Sequence, residues 1–184
     1  GSGFGFIIGD VTGKGAAAAL LAAAMLGMFS AEAAYQAGAA PLIARLNVGL
    51  LRRAIEARFL TTFYGILGTD GALRYCNAGH NAPILLSAGG VRRLDTGGVV
   101  LGLFAHASFD EEIVQLQPGD VVVAFSDGVT EACNAAGEEF GDDRLIACVA
   151  AARHEPPKVL VAQLLVALRG YCGDTAQADD ITVV

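Results

Sequence analysis

Tryptophan is absent from this 184-residue chain, lysine occurs only at Lys14 and Lys158, and charged residues make up 17%. With no basic stripe to track a phosphate backbone and a formal net charge of −7, nucleic acid is not an expected partner. Scarcity of charge beside 54% hydrophobic residues excludes a disordered chain and points to a large buried fraction. Cys76, Cys133, Cys148 and Cys172 form no C-x-x-C pair. That disfavours a zinc site or a disulfide framework and favours buried thiols in a reducing, cytoplasmic compartment. No signal-peptide pattern is present, and Gly1-Ser2 reads as a cloning remnant. The one long apolar run, residues 16–31, is mostly alanine and soon meets Glu32. It is expected to fall short of a membrane span, and so to be a helix buried inside the domain; no membrane partner is expected.

What is present fits one domain over residues 3–184, long enough for a sizeable core. Residues 4–9 read as a strand, and an alanine-rich helix follows over about 15–37, apolar nearly all round and expected to be sandwiched. Pro41 opens a second helix with Leu42, Ile43, Leu46 and Leu50 on one side and Arg45, Arg52 and Glu56 on its wet face. From Phe59 the period changes. Residues 61–68 and 72–77 flank the turn Thr69-Asp70-Gly71, and 82–87 and 91–94 flank Ala88-Gly89-Gly90. Residues 109–116 alternate as a half-exposed strand, and 121–126 form a nearly all-apolar one. Helices near 142–153 and 157–171 precede a last strand, 181–184. Helices, hairpins, then helices with one returning strand predict an α+β fold.

Three segments carry the chemistry: Gly9-Asp10-Val11-Thr12-Gly13-Lys14-Gly15, Phe125-Ser126-Asp127-Gly128-Val129-Thr130-Glu131 and Ala178-Asp179-Asp180-Ile181-Thr182-Val183. Each puts Asp where an apolar run breaks into a turn or loop. A lone Asp-Gly is usually just a turn, and Asp10 alone could be an N-cap. Taken together and in order, over about residues 4–184, they resemble the stage II sporulation protein E-like (RsbU-type) branch of the PPM/PP2C metal-dependent serine/threonine phosphatases.

That resemblance implies an α-β-β-α sandwich of two antiparallel sheets flanked by helices, and two Mn2+ or Mg2+ ions held by hard oxygen ligands. It implies Asp10 as the bridging carboxylate, the backbone carbonyl of Val11 as a ligand, and Asp127 and Asp179 on the other metal. Asp180 becomes an indirect or water-mediated contact, since adjacent strand residues face opposite ways. Phosphoserine or phosphothreonine would be hydrolysed by metal-activated water without a phosphoenzyme. The implied substrate is a phosphorylated STAS-type anti-sigma-factor antagonist, and the implied regulator an upstream sensor or receiver domain.

The family's first acidic motif lies upstream of this pattern, and only nine residues precede Asp10. The N-terminal strand is therefore expected to be missing, the second ion loosely held, activity weak, and the exposed strand edge prone to homodimer pairing. The alternative reading is a non-catalytic, partner-binding pseudophosphatase or an inactive truncated module.

Asn77-Ala78-Gly79-His80-Asn81 also resembles this branch. His80 could be a general acid, though a structural turn is the better reading. Gly97, Gly98, Leu101, Gly102 and Leu103 suggest packing, Glu131 either a metal-shell or a helix-start role, and His106 and His154 surface positions. Rival chemistries fail on spacing. Gly9 and Gly13 enclose three residues where a phosphate-binding loop needs four, and Gly15 stands where Ser or Thr is needed. Cys148 and Arg153 are separated by four residues where a cysteine phosphatase needs five, and no serine nucleophile elbow occurs.

Overall fold

The computed structural model describes residues 3–35, 38–52 and 59–184; Gly1-Ser2, Glu56 and the end of the first expected helix lie outside them. In chain order the elements are β1 (Gly3–Val11), α1 (Ala16–Ala33), α2 (Ala39–Leu51), β2 (Leu60–Gly68), β3 (Ala72–Ala78), β4 (Ile84–Ser87), β5 (Gly90–Arg93), β6 (Gly97–Gly98), β7 (Glu112–Gln115), β8 (Val121–Val123), α3 (Asp127–Thr130), α4 (Gly141–Ala151) and α5 (Pro157–Cys172). The class is α+β, with two sheets and helices on each. The chain divides into two compact units, Gly1–His80 with Asp95–Leu116, and Asn81–Leu94 with Gln117–Val184.

In the first unit the sheet order is β1-β2-β3-β6, with β7 on β3. All pairs are antiparallel except the short β3–β6 pair. The β2–β3 hairpin turns at Gly71, whose φ of 80° only glycine takes easily, and the Asp70 carboxylate accepts the Ala72 N–H at 3.1 Å. The two faces of β1 and β2 have different neighbours. Ile7, Val11, Tyr64 and Ile66 join the α1–α2 side of the core, with Leu21, Met25, Leu42, Ile43 and Leu46. The opposite face carries Phe6 and Ile8 beside Phe63, which stacks on Tyr75 at 5.3 Å. By strand alternation Asp10 and Thr61 end that second face, away from the helices.

The expectation of a sandwiched first helix is corrected. On α1 only Ala18, Leu21 and Met25 are buried, at helical spacing, while Leu20 is 72% and Leu26 58% exposed. Alanine explains the difference: it favours helix and raises hydropathy, yet its single methyl needs little burial. By length and composition α1 is apolar enough to cross a membrane, contrary to the expectation that Glu32 disqualifies it. Here its buried stripe packs into the core of the first unit. On α2, Leu42, Ile43, Leu46 and Leu50 are buried as expected, and Arg45 pairs with Glu32 on α1 at 2.9 Å.

Two long-range contacts anchor α2. The Glu111 carboxylate accepts the N–H of Ala40, in the helix's first turn, at 3.0 Å, and it also pairs with Arg74. Buried Asn47 donates to the Phe104 carbonyl at 3.0 Å and accepts from the Gly102 N–H at 2.8 Å.

The second unit has a three-stranded antiparallel sheet, β5-β4-β8. Its core joins Ile84, Leu86, Val123 and Phe125 to Leu145 and Val149 of α4 and to Leu160, Leu164 and Leu168 of α5. The expected strand 121–126 is regular only over β8. Beyond it, residues 124–126 hydrogen-bond the C-terminal segment: Ala124 and Val184 exchange two bonds at 2.9 Å, and the Ser126 N–H reaches the Thr182 carbonyl at 3.0 Å. The expected last strand is thus a short bridged run. The expected 109–116 strand contracts to β7. The turn expected at Asp127-Gly128 is instead the first turn of α3, starting after Ser126.

Candidate functional site

Asp10 lies one residue before the end of β1, exposed, opposite Thr61 on β2. Gly9 precedes it for a steric reason. A Cβ there would come within 2.7 Å of the Thr61 carbonyl oxygen, so only glycine lets the strands close at that step. After Asp10 the chain turns under a clamp: the Thr12 hydroxyl donates to the Phe59 carbonyl and accepts the Phe59 N–H, each at 3.0 Å. Gly13 and Gly15 then take φ of 89° and 85°, and Gly15, not Asp10, caps α1. The N-cap explanation of Asp10 is removed.

In the second unit a tether missed by the sequence reading joins the other two motifs. The buried Ser126 hydroxyl donates to the Asp180 carbonyl at 2.9 Å and accepts the Thr182 N–H at 2.9 Å. Gly128 lies directly beneath this crossing, where a Cβ would stand 2.4 Å from the Asp180 oxygen and 3.2 Å from that of Asp179. The available signal was a polar Ser ending the apolar run just before Asp127.

Asp127 opens α3, and Asp179 occupies the loop held by this tether. The Asp179 carboxylate accepts the Asp180 N–H at 2.8 Å, and Gln177 donates to its carbonyl at 2.7 Å. Asp179 and Asp180 lie in a loop and not on a strand, so the alternation used to separate their roles does not apply.

Glu131 stands at the end of α3. Although Glu131 is exposed, local desolvation first, then the charges of Asp127, Glu139 and Asp179, push its carboxyl above its ordinary range. Among the described residues neither Asp127 nor Asp179 has an Arg or Lys partner. Hard oxygens with uncompensated negative charge suit Mg2+ or Mn2+ and not a soft metal. No group of three or more His, Cys, Asp or Glu side chains among the described residues forms a metal-binding cluster. Asp10 with Val11 belongs to the first unit, and Asp127, Asp179 and Asp180 to the second. Glu131 and Asp179 also line a cavity of about 370 Å³ whose walls include Leu165 and Leu168 of α5.

Asn77 builds the turn that the sequence suggested around His80. Its side chain accepts the His80 N–H at 2.8 Å and donates to the His80 carbonyl at 3.0 Å. The buried imidazole bonds the Thr61 hydroxyl through Nδ1 at 2.9 Å. Gly97 is confirmed as packing, since a Cβ there would collide with the Asn77 backbone. His106 and His154 are exposed, as expected. Only Cys76 is fully buried, its thiol pushed up to about 12 by burial and by Glu111 and Asp110; the other three cysteines are half-buried.

The fold is that of PP2C-type phosphatase domains. The SiaA-PP2C domain of Pseudomonas aeruginosa superposes with a TM-score of 0.85 at 19% identity, over 98% of this chain and 74% of that one. The chain belongs to the stage II sporulation protein E (SpoIIE) family, whose model matches residues 1–184. It is 31% identical to protein IcfG of Synechocystis sp. over 133 residues, and 30% identical to phosphoserine phosphatase RsbU of Bacillus subtilis over 129. Those alignments cover 70% and 67% of this chain but only 20% and 38% of the relatives' lengths. Two structures of the same fold were determined with metal: RsbX with magnesium (TM-score 0.69, 18% identity, 96% of this chain and 77% of that one), and the PstP catalytic domain with two manganese ions (0.68, 14%, 99% and 88%).

Proposed function

We propose that this domain is a Mn2+- or Mg2+-dependent phosphoserine/phosphothreonine protein phosphatase. Its proposed substrate is a phosphorylated STAS-type anti-sigma-factor antagonist in a cytoplasmic partner-switching system, under control of a sensor or receiver domain. Family membership and the RsbU likeness support the reaction class. The single observation that carries the site is the Ser126–Asp180 tether over Gly128, which brings the Asp127 and Asp179 motifs together.

In this reading Asp10 would be the carboxylate shared by the cations, the Val11 carbonyl would be a further ligand, Asp127 and Asp179 would hold one of the ions, and Asp180 would act through water. The bound ions supply activation of water and neutralisation of phosphoryl charge. Thr12 and Gly9 fix the strand end that presents Asp10. Ser126 and Gly128 fix the loop that presents Asp179, so the carboxylates need little reorganisation when substrate arrives. The mechanism forms no phosphoenzyme.

The test is phosphate release from a phosphorylated STAS protein with and without Mn2+. Turnover should require the metal, and Asp10→Ala should abolish it. Metal-independent release, or a phosphoenzyme trapped by rapid quench, would overturn the assignment. Stable binding of the phosphoprotein without turnover at saturating Mn2+ would favour a non-catalytic module.

A further inference from the structure

The turn around His80 is complete without its imidazole. Asn77 satisfies both backbone polar groups of residue 80, and Gly79 supplies the φ of 71° that the turn needs. Yet the side chain is 6% exposed, and burying an imidazole carries a desolvation cost that this turn does not require. Its Nδ1 is committed to the Thr61 hydroxyl at 2.9 Å.

Thr61 is the cross-strand partner of Asp10, and directly opposed residues in an antiparallel pair project to the same face. On that face the apolar series Phe6, Ile8 and Phe63 gives way, at the strand end, to the polar pair Asp10 and Thr61. From these contacts we infer that His80 is a positioning residue: by holding the Thr61 hydroxyl it fixes the side chain against which the Asp10 carboxylate is set. The inference rests on the proposal that Asp10 is a metal ligand.

The role requires the tautomer in which Nδ1 carries the proton. If Nδ1–H donates to the threonine oxygen, the hydroxyl proton is released to point at an acceptor on the same face, and a carboxylate is the acceptor offered there. A fixed donor beside a ligating carboxylate restricts its rotation and selects the oxygen left for the metal. Such outer contacts are worth ~10–100-fold in metal affinity. A histidine that served only the turn would influence folding and leave metal affinity unchanged once the protein was folded.

Mn2+ affinity, measured by calorimetry on the whole chain, separates these roles, with thermal unfolding of the metal-free protein as the folding control. Asp10→Asn is the reference: if it binds Mn2+ as the wild type does, the ligand assignment of Asp10 fails. With that reference weakened, Thr61→Val and His80→Ala should each lose ~10-fold in affinity. Thr61→Ser, which keeps the hydroxyl, should bind near wild type. The double variant Thr61→Val/His80→Ala should bind no more weakly than the weaker single variant, because His80 acts through Thr61. Wild-type affinity in Thr61→Val, or additive losses in the double variant, would overturn the inference. Should His80→Ala fail to fold, Thr61→Val against Thr61→Ser decides alone: equal affinities reject the role, and weakening in Val only supports it.

Discussion

Glycines at the candidate site are demanded by neighbours as often as by backbone angles. Gly9 and Gly128 are each pressed against a backbone carbonyl from a distant part of the chain, Thr61 in one case and Asp180 in the other. Gly128→Ala should therefore push the Asp179 loop off its tether, lowering stability by about 1–3 kcal/mol and metal-dependent turnover by much more. Thermal unfolding and phosphate release on one preparation would check this; a variant with unchanged turnover would show the crossing to be unimportant. Glu111 acts at the same scale on stability alone. Burial favours its neutral form, but the Ala40 N–H and Arg74 outweigh that and hold its carboxyl below the ordinary range. A lowered folded value means stability that is complete above the ordinary carboxylate pKa and lost as pH falls through the folded one. Below about pH 4, wild type should lose stability more steeply than Glu111→Gln, as read from denaturation midpoints across pH.

At the scale of elements, α1 separates helix formation from burial. Its residues would favour a helix almost anywhere, but only Ala18, Leu21 and Met25 meet the core. Leu21→Ala is expected to destabilise by about 2–5 kcal/mol, and Leu20→Ala to remain within about 0.5 kcal/mol of wild type. Urea midpoints distinguish the two, and equal effects would show that the exposed face is covered in solution. The C-terminal segment makes the complementary point. It is too short for a sheet strand of its own, yet its bonds to Ala124 and Ser126 place Asp179 beside the start of α3.

For the molecule as a whole, the proposed carboxylates are divided between two units with separate hydrophobic cores. If all bind the same metal centre, saturating Mn2+ should raise the melting temperature of the wild type, since a ligand of the native state stabilises it. Asp10→Asn and Asp127→Asn should each lose most of that rise while melting normally without metal. A rise retained in both would place Mn2+ elsewhere on the protein.

Local chemistry made much of this readable in the sequence. Periodicity marked the apolar side of α2 at Leu42, Ile43, Leu46 and Leu50, Thr69-Asp70-Gly71 marked the hairpin, and the three Asp motifs marked the family. Each depends on residues close along the chain, where spacing alone fixes which side chains share a face or a turn. Tertiary structure decided the rest. It left most of α1 uncovered, made Glu111 a partner of a helix 71 positions away, and linked Ser126 to Asp180 across 54. It also joined His80 to Thr61 across 19. Those contacts arise from strand register and chain crossing, and a hydrogen bond between distant residues leaves no period in the sequence to betray it.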